Sequence, residues 1–155
     1  MTTISTTTLP LAAGTWTADQ PHTTVGFVVR HLGLSKVRGR FDGVTAQLIV
    51  GDDLASSSVS ADIEMGTVKT GNADRDAHLA SSDFFNAETN PTMTFRSTAI
   101  AGEGEEYTLI GDLTINGVTK QVELDVEFFG TSVYPMDQST RAGFSATGTI
   151  SRKDF

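Results

Sequence analysis

The chain has 155 residues, 38% hydrophobic and 19% charged, which suits a single folded domain and excludes a disordered one. Nineteen acidic against 11 basic residues give a net charge of −8, whose field repels nucleic acid and anionic membrane surfaces at long range, so neither is an expected partner. With no cysteine, disulfides and thiolate metal sites are excluded.

The first residues, MTTISTTT, lack the positive start and apolar core of a secretory signal. Residues 1–12 therefore read as a disordered Thr-rich leader ahead of one domain over 13–155. No stretch approaches the ~20 apolar residues of a membrane helix, so no integral membrane segment is expected. The chain as given reads as soluble and cytoplasmic.

Period-two alternation dominates the rest of the chain, the signature of strands with one buried face. Val25, Phe27 and Val29 share one face of the first clear strand. Lys36, Arg38 and Arg40 then project together from the next, and read as a solvated face paired with carboxylates. Val59, Ala61, Ile63 and Met65 alternate with polar neighbours, and so do Met93, Phe95, Ser97 and Ala99. Phe144, Ala146, Gly148 and Ile150 form the last such set.

Between these sets, Asn116-Gly117 is the preferred pair for a two-residue type I′ turn. That turn places Ile115 opposite Val118 and then Leu113, Gly111, Leu109 and Tyr107 opposite Lys120, Val122, Leu124 and Val126. A slip by one residue would mix the two faces, so the register is specified.

One segment departs from the strand pattern. Asn72 caps a helix from about Ala73 to Ser81, with Asp74 and Asp76 where the helix dipole favours negative charge. So short a helix must dock on something, and Leu79, Phe84 and Phe85 are the available apolar groups. Arg75 and Asp76 read as a fixed pair holding it to the barrel wall. Asn90-Pro91 ends the excursion.

About eight one-sided strands with a single short helix and no βαβ unit define an all-β fold, an antiparallel barrel or a two-sheet sandwich. The long run Thr119–Phe129 favours the barrel. Small residues on inward positions (Gly26 or its neighbours, Ala61, Ala99, Gly111, Ala146, Gly148) favour a cavity inside it.

The three histidines, His22, His31 and His78, have no metal-ligand spacing, and no G-x-S-x-G elbow or phosphate loop is present. His78 reads as a structural residue tying the helix to the strand end at Arg30-His31.

A spaced set of motifs resembles the YceI-like family. It comprises Trp16, Val25–Gly33 with its Arg30-His31-Leu32-Gly33, Val37–Phe41, Arg75-Asp76-Ala77-His78-Leu79, Asp83–Asn86, Pro91–Phe95, Gly111–Lys120 and Ser151–Phe155. The resemblance implies a lipocalin-like extended barrel whose apolar tunnel holds a polyisoprenoid or similar lipid, with no established catalysis and no obligatory cofactor. On that basis Val25, Phe27, Val29, Phe95, Tyr107, Leu109, Leu124, Val126 and Phe144 are the expected lining for an isoprenoid lipid or quinone. Arg30, His31, Arg75, Asp76, His78, Phe84 and Phe85 are the expected clamp between helix and rim. The basic stretch gains a second reading as a cationic rim for a lipid head group.

Relatives include exported members. They usually continue past the motif ending here at Phe155 into a glycine and a final strand; a barrel lacking that strand would have an open edge where a partner chain could add. Two alternatives stay open: a hydrolase-like enzyme acting on a lipid through His31, Asp76 or His78, and a packed barrel serving as an assembly module or homodimer.

Overall fold

The computed structural model describes residues 11–19, 23–31, 35–81, 86–151 and 154–155, with only the backbone followed at Arg30, His31 and Ser35. Its elements in chain order are β1 (Gly14–Thr17), β2 (Val25–His31), β3 (Ser35–Phe41), β4 (Val44–Val50), β5 (Ser58–Glu64), β6 (Val68–Lys69), α1 (Ala73–Ala80), β7 (Thr92–Glu103), β8 (Glu106–Ile115), β9 (Val118–Val133) and β10 (Thr140–Thr147). Eight of these strands have seven residues or more, while β1 has four and β6 two. Every pairing is antiparallel. The fold is the expected all-β barrel, built as a curled seven-stranded sheet ordered β1-β4-β5-β7-β8-β9-β10 and a three-stranded sheet ordered β2-β3-β6.

The β8–β9 hairpin follows from its turn chemistry. Asn116 and Gly117 both take positive φ, at 54° and 77°, as a type I′ turn requires. The register is the expected one, from Ile115↔Val118 through Tyr107↔Val126. Outside the turn, Asn90 Nδ2 donates to Asn116 Oδ1 at 3.0 Å and ties the turn to the entry of β7.

Two bulges alter the inward sets. Between Ser97 and Ala99 the β7–β8 register shifts, so Ile100 rather than Ala99 packs against the core and Ala99 is exposed. A second shift, at Phe129 in β9, lets Phe128 pair with Phe144 and Gly130 with Gly143. An extra residue in one strand reverses the parity beyond it. Gly26 also departs from expectation: it lies across from Arg40 on the exposed face of β2.

The core has two parts. At one end Phe41, Val44, Ile63, Met65 and Val68 pack together, with Phe27, Leu79 and Met93 against them, so this cluster joins both sheets and the helix. Met65 leaves the β5 alternation for a single 3-10 turn over Met65–Thr67 and is only 1% exposed. At the other end Val50, Leu54, Tyr107 and Phe128 pack with Trp16, Val126 and Ala142, and Leu11 lies against them. That end is fastened by Arg141, which bonds the Asp19 carboxylate and stacks 4.1 Å over the Tyr134 ring.

Candidate functional site

The inward face between the two clusters is built by alternate residues of neighbouring strands. Ala46 of β4 faces Ala61 of β5, Ala61 faces Phe95 of β7, and Phe95 faces Leu113 of β8. Across the hairpin, Gly111 faces Val122 and Leu109 faces Leu124. Phe95 and Leu109 are buried, at 5% and 6% exposure, yet belong to neither end cluster. They form an apolar belt.

The small residues of this belt do not all leave open space. A Cβ added at Gly111 would lie 2.4 Å from Phe95 Cζ, so the phenyl ring already occupies that position. Phe27 covers Gly39 in the same way, with Cζ 2.3 Å from the Cβ site. Each glycine seats a ring from the neighbouring strand. Smallness in the sequence therefore marks close ring packing at these sites rather than a void.

The expected lining residues fall into three groups. Val25 and Phe27 pack against the first cluster, while Tyr107 and Val126 belong with the second. Phe95, Leu109 and Leu124 occupy the belt. Val29 and Phe144 are 53% and 40% exposed, although Phe144 also meets Phe128 with ring centroids 5.0 Å apart. Phe128 itself, buried in the core, was absent from the expected lining; it shares the parity of Leu124 and Val126, which is the signal that reveals it.

Tyr107 shows how a phenol is kept in an apolar wall. Its hydroxyl donates to the Gly104 carbonyl at 2.9 Å. Burial, with the Glu103 charge adding to it, raises its pKa above the ordinary 10.0 and keeps it protonated.

The helix clamp meets at a residue not anticipated from sequence. Asn72 caps α1 by accepting from Arg75 N at 3.1 Å, as expected. Arg75 and Asp76, however, converge on Thr70. Asp76 Oδ1 accepts from Thr70 N at 2.8 Å and from Thr70 Oγ1 at 2.5 Å. Arg75 donates through Nε to Thr70 Oγ1 and through a terminal nitrogen to the Thr70 carbonyl, both at 2.8 Å. A lone threonine after a two-residue strand carries no local signal for this role. His78 sits on the exposed side of α1, and its carbonyl accepts from Ser81 N at 3.1 Å. Phe84, Phe85 and the side chains of Arg30 and His31 lie outside the described residues.

The Thr70 hydroxyl, more than any other group, holds the Asp76 carboxyl below its ordinary 3.8. A depressed folded pKa means the anchor's contribution is complete above the unfolded value and fades as pH falls through the folded one. Acid should thus loosen α1 below about pH 4. Protection of the α1 amides, measured against their intrinsic exchange rate at each pH, is expected to fall there in the native protein. Asp76→Asn should raise exchange at neutral pH and flatten that acid response.

A hollow of about 690 Å³ lies over β7–β10, lined mainly by residues on the opposite side from the belt, among them Glu106, Thr108, Asp125, Glu127, Ser145 and Thr147. Its walls are polar and acidic, unlike those a lipid chain needs. Among the described residues no group of three His, Cys, Asp or Glu is placed to hold a metal, and no helix is long and apolar enough to cross a membrane.

These features define a class: an antiparallel barrel protein with an apolar inward face and one clamped helix. Residues 16–155 match the model of the YceI-like domain, and the chain belongs to that family. It is 41% identical over 135 residues to a UPF0312 protein of Photorhabdus laumondii, covering 86% of this chain and 70% of that protein. Protein YceI of Escherichia coli O157:H7 is 39% identical over 135 residues, with the same coverage of 86% and 70%. Among solved structures, the Campylobacter jejuni YceI protein aligns with a TM-score of 0.72 at 37% identity, over 90% of this chain and 82% of that one. Burkholderia cenocepacia BcnA aligns with a TM-score of 0.68 at 27% identity, over 74% and 73%.

Proposed function

We propose that the protein binds or carries a long apolar lipid of the polyisoprenoid class, such as an isoprenoid quinone, along the inward belt and without catalysis. The observation that carries this reading is the division of the core into two end clusters separated by an apolar belt. A barrel filled by its own side chains commonly gathers one contiguous core. Here a guest lying along the belt would join the two clusters and cover the exposed apolar area of Val29 and Phe144.

Membership of the YceI-like family supports the same class of ligand. So does the energetic scale. At ~0.8 kcal/mol per buried CH₂, one five-carbon isoprene unit is worth about 3–4 kcal/mol gross, and several units exceed the cost of ordering the chain. Binding of this kind selects length and flexibility rather than a polar pattern. The net charge of −8 favours a neutral head over a diphosphate. The test is uptake of a prenyl quinone by delipidated protein: saturable uptake is expected, and none at all contradicts the reading.

A further inference from the structure

The outward face of the three-stranded sheet gathers positive charge in an acidic protein. Lys36, Arg38 and Arg40 stand at alternate positions of β3, all exposed. Register sets Lys69 of β6 directly across from Arg40, and Val28 of β2 directly across from Arg38. Directly opposed residues of antiparallel strands share a face, so four cations and one valine lie on one surface. Val28 is 51% exposed there. The reverse side of the same strands packs Phe27, Phe41 and Val68 into the core, which fixes this surface outward.

The arrangement is unfavourable for the isolated protein. Like charges placed directly across a strand pair destabilise it, as Arg40 and Lys69 are placed. Asp42 offsets Arg40 at 2.9 Å, while Lys36 and Arg38 enter no ion pair among the described residues. An external anionic surface would relieve the repulsion.

We propose that this face docks on an anionic lipid bilayer, with Lys36, Arg38 and Lys69 meeting headgroup phosphates and Val28 entering the interfacial layer. The net charge of −8 argues against approach from afar. It does not decide contact. At physiological ionic strength charges farther than about 8 Å are largely screened. Acidic side chains are concentrated elsewhere, with Glu106, Asp125 and Glu127 together over β7–β10. The exposed valine among the cations favours a bilayer over nucleic acid, whose phosphates offer it no apolar layer. The inference extends the lipid-carrier reading without depending on it, because cargo-free protein should dock equally well.

The experiment is co-sedimentation of the delipidated full chain with vesicles of phosphatidylcholine alone or mixed with phosphatidylglycerol. Binding is expected to the mixed vesicles only and to weaken with salt. Each cation near the surface is worth about fivefold in affinity, so the pair Lys36→Glu and Arg38→Glu should lose about 25-fold or more. Lys120→Glu, away from this face, should change little, and Val28→Asp should weaken binding. If the double reversal unfolds, the pair Lys36→Gln and Arg38→Gln provides the same reading with a smaller loss. Equal binding to both vesicle types, binding to neither, or full retention in the charge variants overturns the proposal. So does tighter, variant-sensitive binding to duplex DNA. Normal docking by a variant that has lost prenyl-quinone uptake would separate this inference from the carrier function.

Discussion

Alanine at Gly111 is expected to destabilise the fold by about 1–3 kcal/mol, the usual cost of overpacking a filled interior. The added Cβ would sit 2.4 Å from Phe95 Cζ, 2.8 Å from Phe95 Cε1 and 2.6 Å from the Arg96 carbonyl oxygen. Part of the strain is with a side chain that can move, and part with backbone that cannot. Phe95→Ala alone should cost about 3–5 kcal/mol, since it empties a buried aromatic site. In the Phe95→Ala background the Gly111→Ala penalty should shrink without vanishing, because the Arg96 carbonyl stays in place. Urea unfolding of the four proteins measures the coupling, expected at about 0.5–3 kcal/mol in the relieving direction. Strict additivity would mean that the ring does not rest on Gly111.

Tryptophan at Leu124 is expected to reduce uptake of a prenyl lipid by about tenfold or more, a loss equal to roughly 1.4 kcal/mol of binding free energy. Leu124 is half-buried, faces Leu109 across the hairpin and borders the belt between the two clusters. An indole there would fill space that a lipid chain is proposed to use. Because the side chain is not fully buried, thermal unfolding should report a folded protein. Leu124→Ala is the complementary change: it widens the belt and should preserve uptake. Equilibrium titration of delipidated protein with a radiolabelled prenyl quinone, read by co-elution of label with protein, gives both results. Equal uptake by the wild-type and Leu124→Trp proteins would place the lipid elsewhere.

What the sequence made legible was local. The β8–β9 hairpin could be read residue by residue because a two-residue turn fixes register and alternation labels both faces. Asn72 marked the start of α1, and its side chain caps it. The bulges escaped because an extra residue leaves no mark in an alternating pattern. Ala99 looked inward for that reason, and Ile100 takes its place in the structure. Thr70 escaped because its role arises only when β6 and α1 come together. The alternation of Lys36, Arg38 and Arg40 was visible, but Lys69 joins them only through strand pairing. Nor could composition distinguish a glycine that leaves a void from one that seats a ring, as Gly111 does. The proposed ligand class is not readable from alternation alone; it rests on the spaced motifs shared with the YceI-like family.

The apolar belt is proposed to carry a lipid. Native mass spectrometry of protein purified without detergent, followed by organic extraction, tests this most directly. A non-covalent adduct is expected that extracts into organic solvent, has the mass of an isoprenoid lipid or quinone, and is diminished in Leu124→Trp. Protein that flies only at its polypeptide mass, yields no extractable lipid and takes up no prenyl quinone would contradict the proposal.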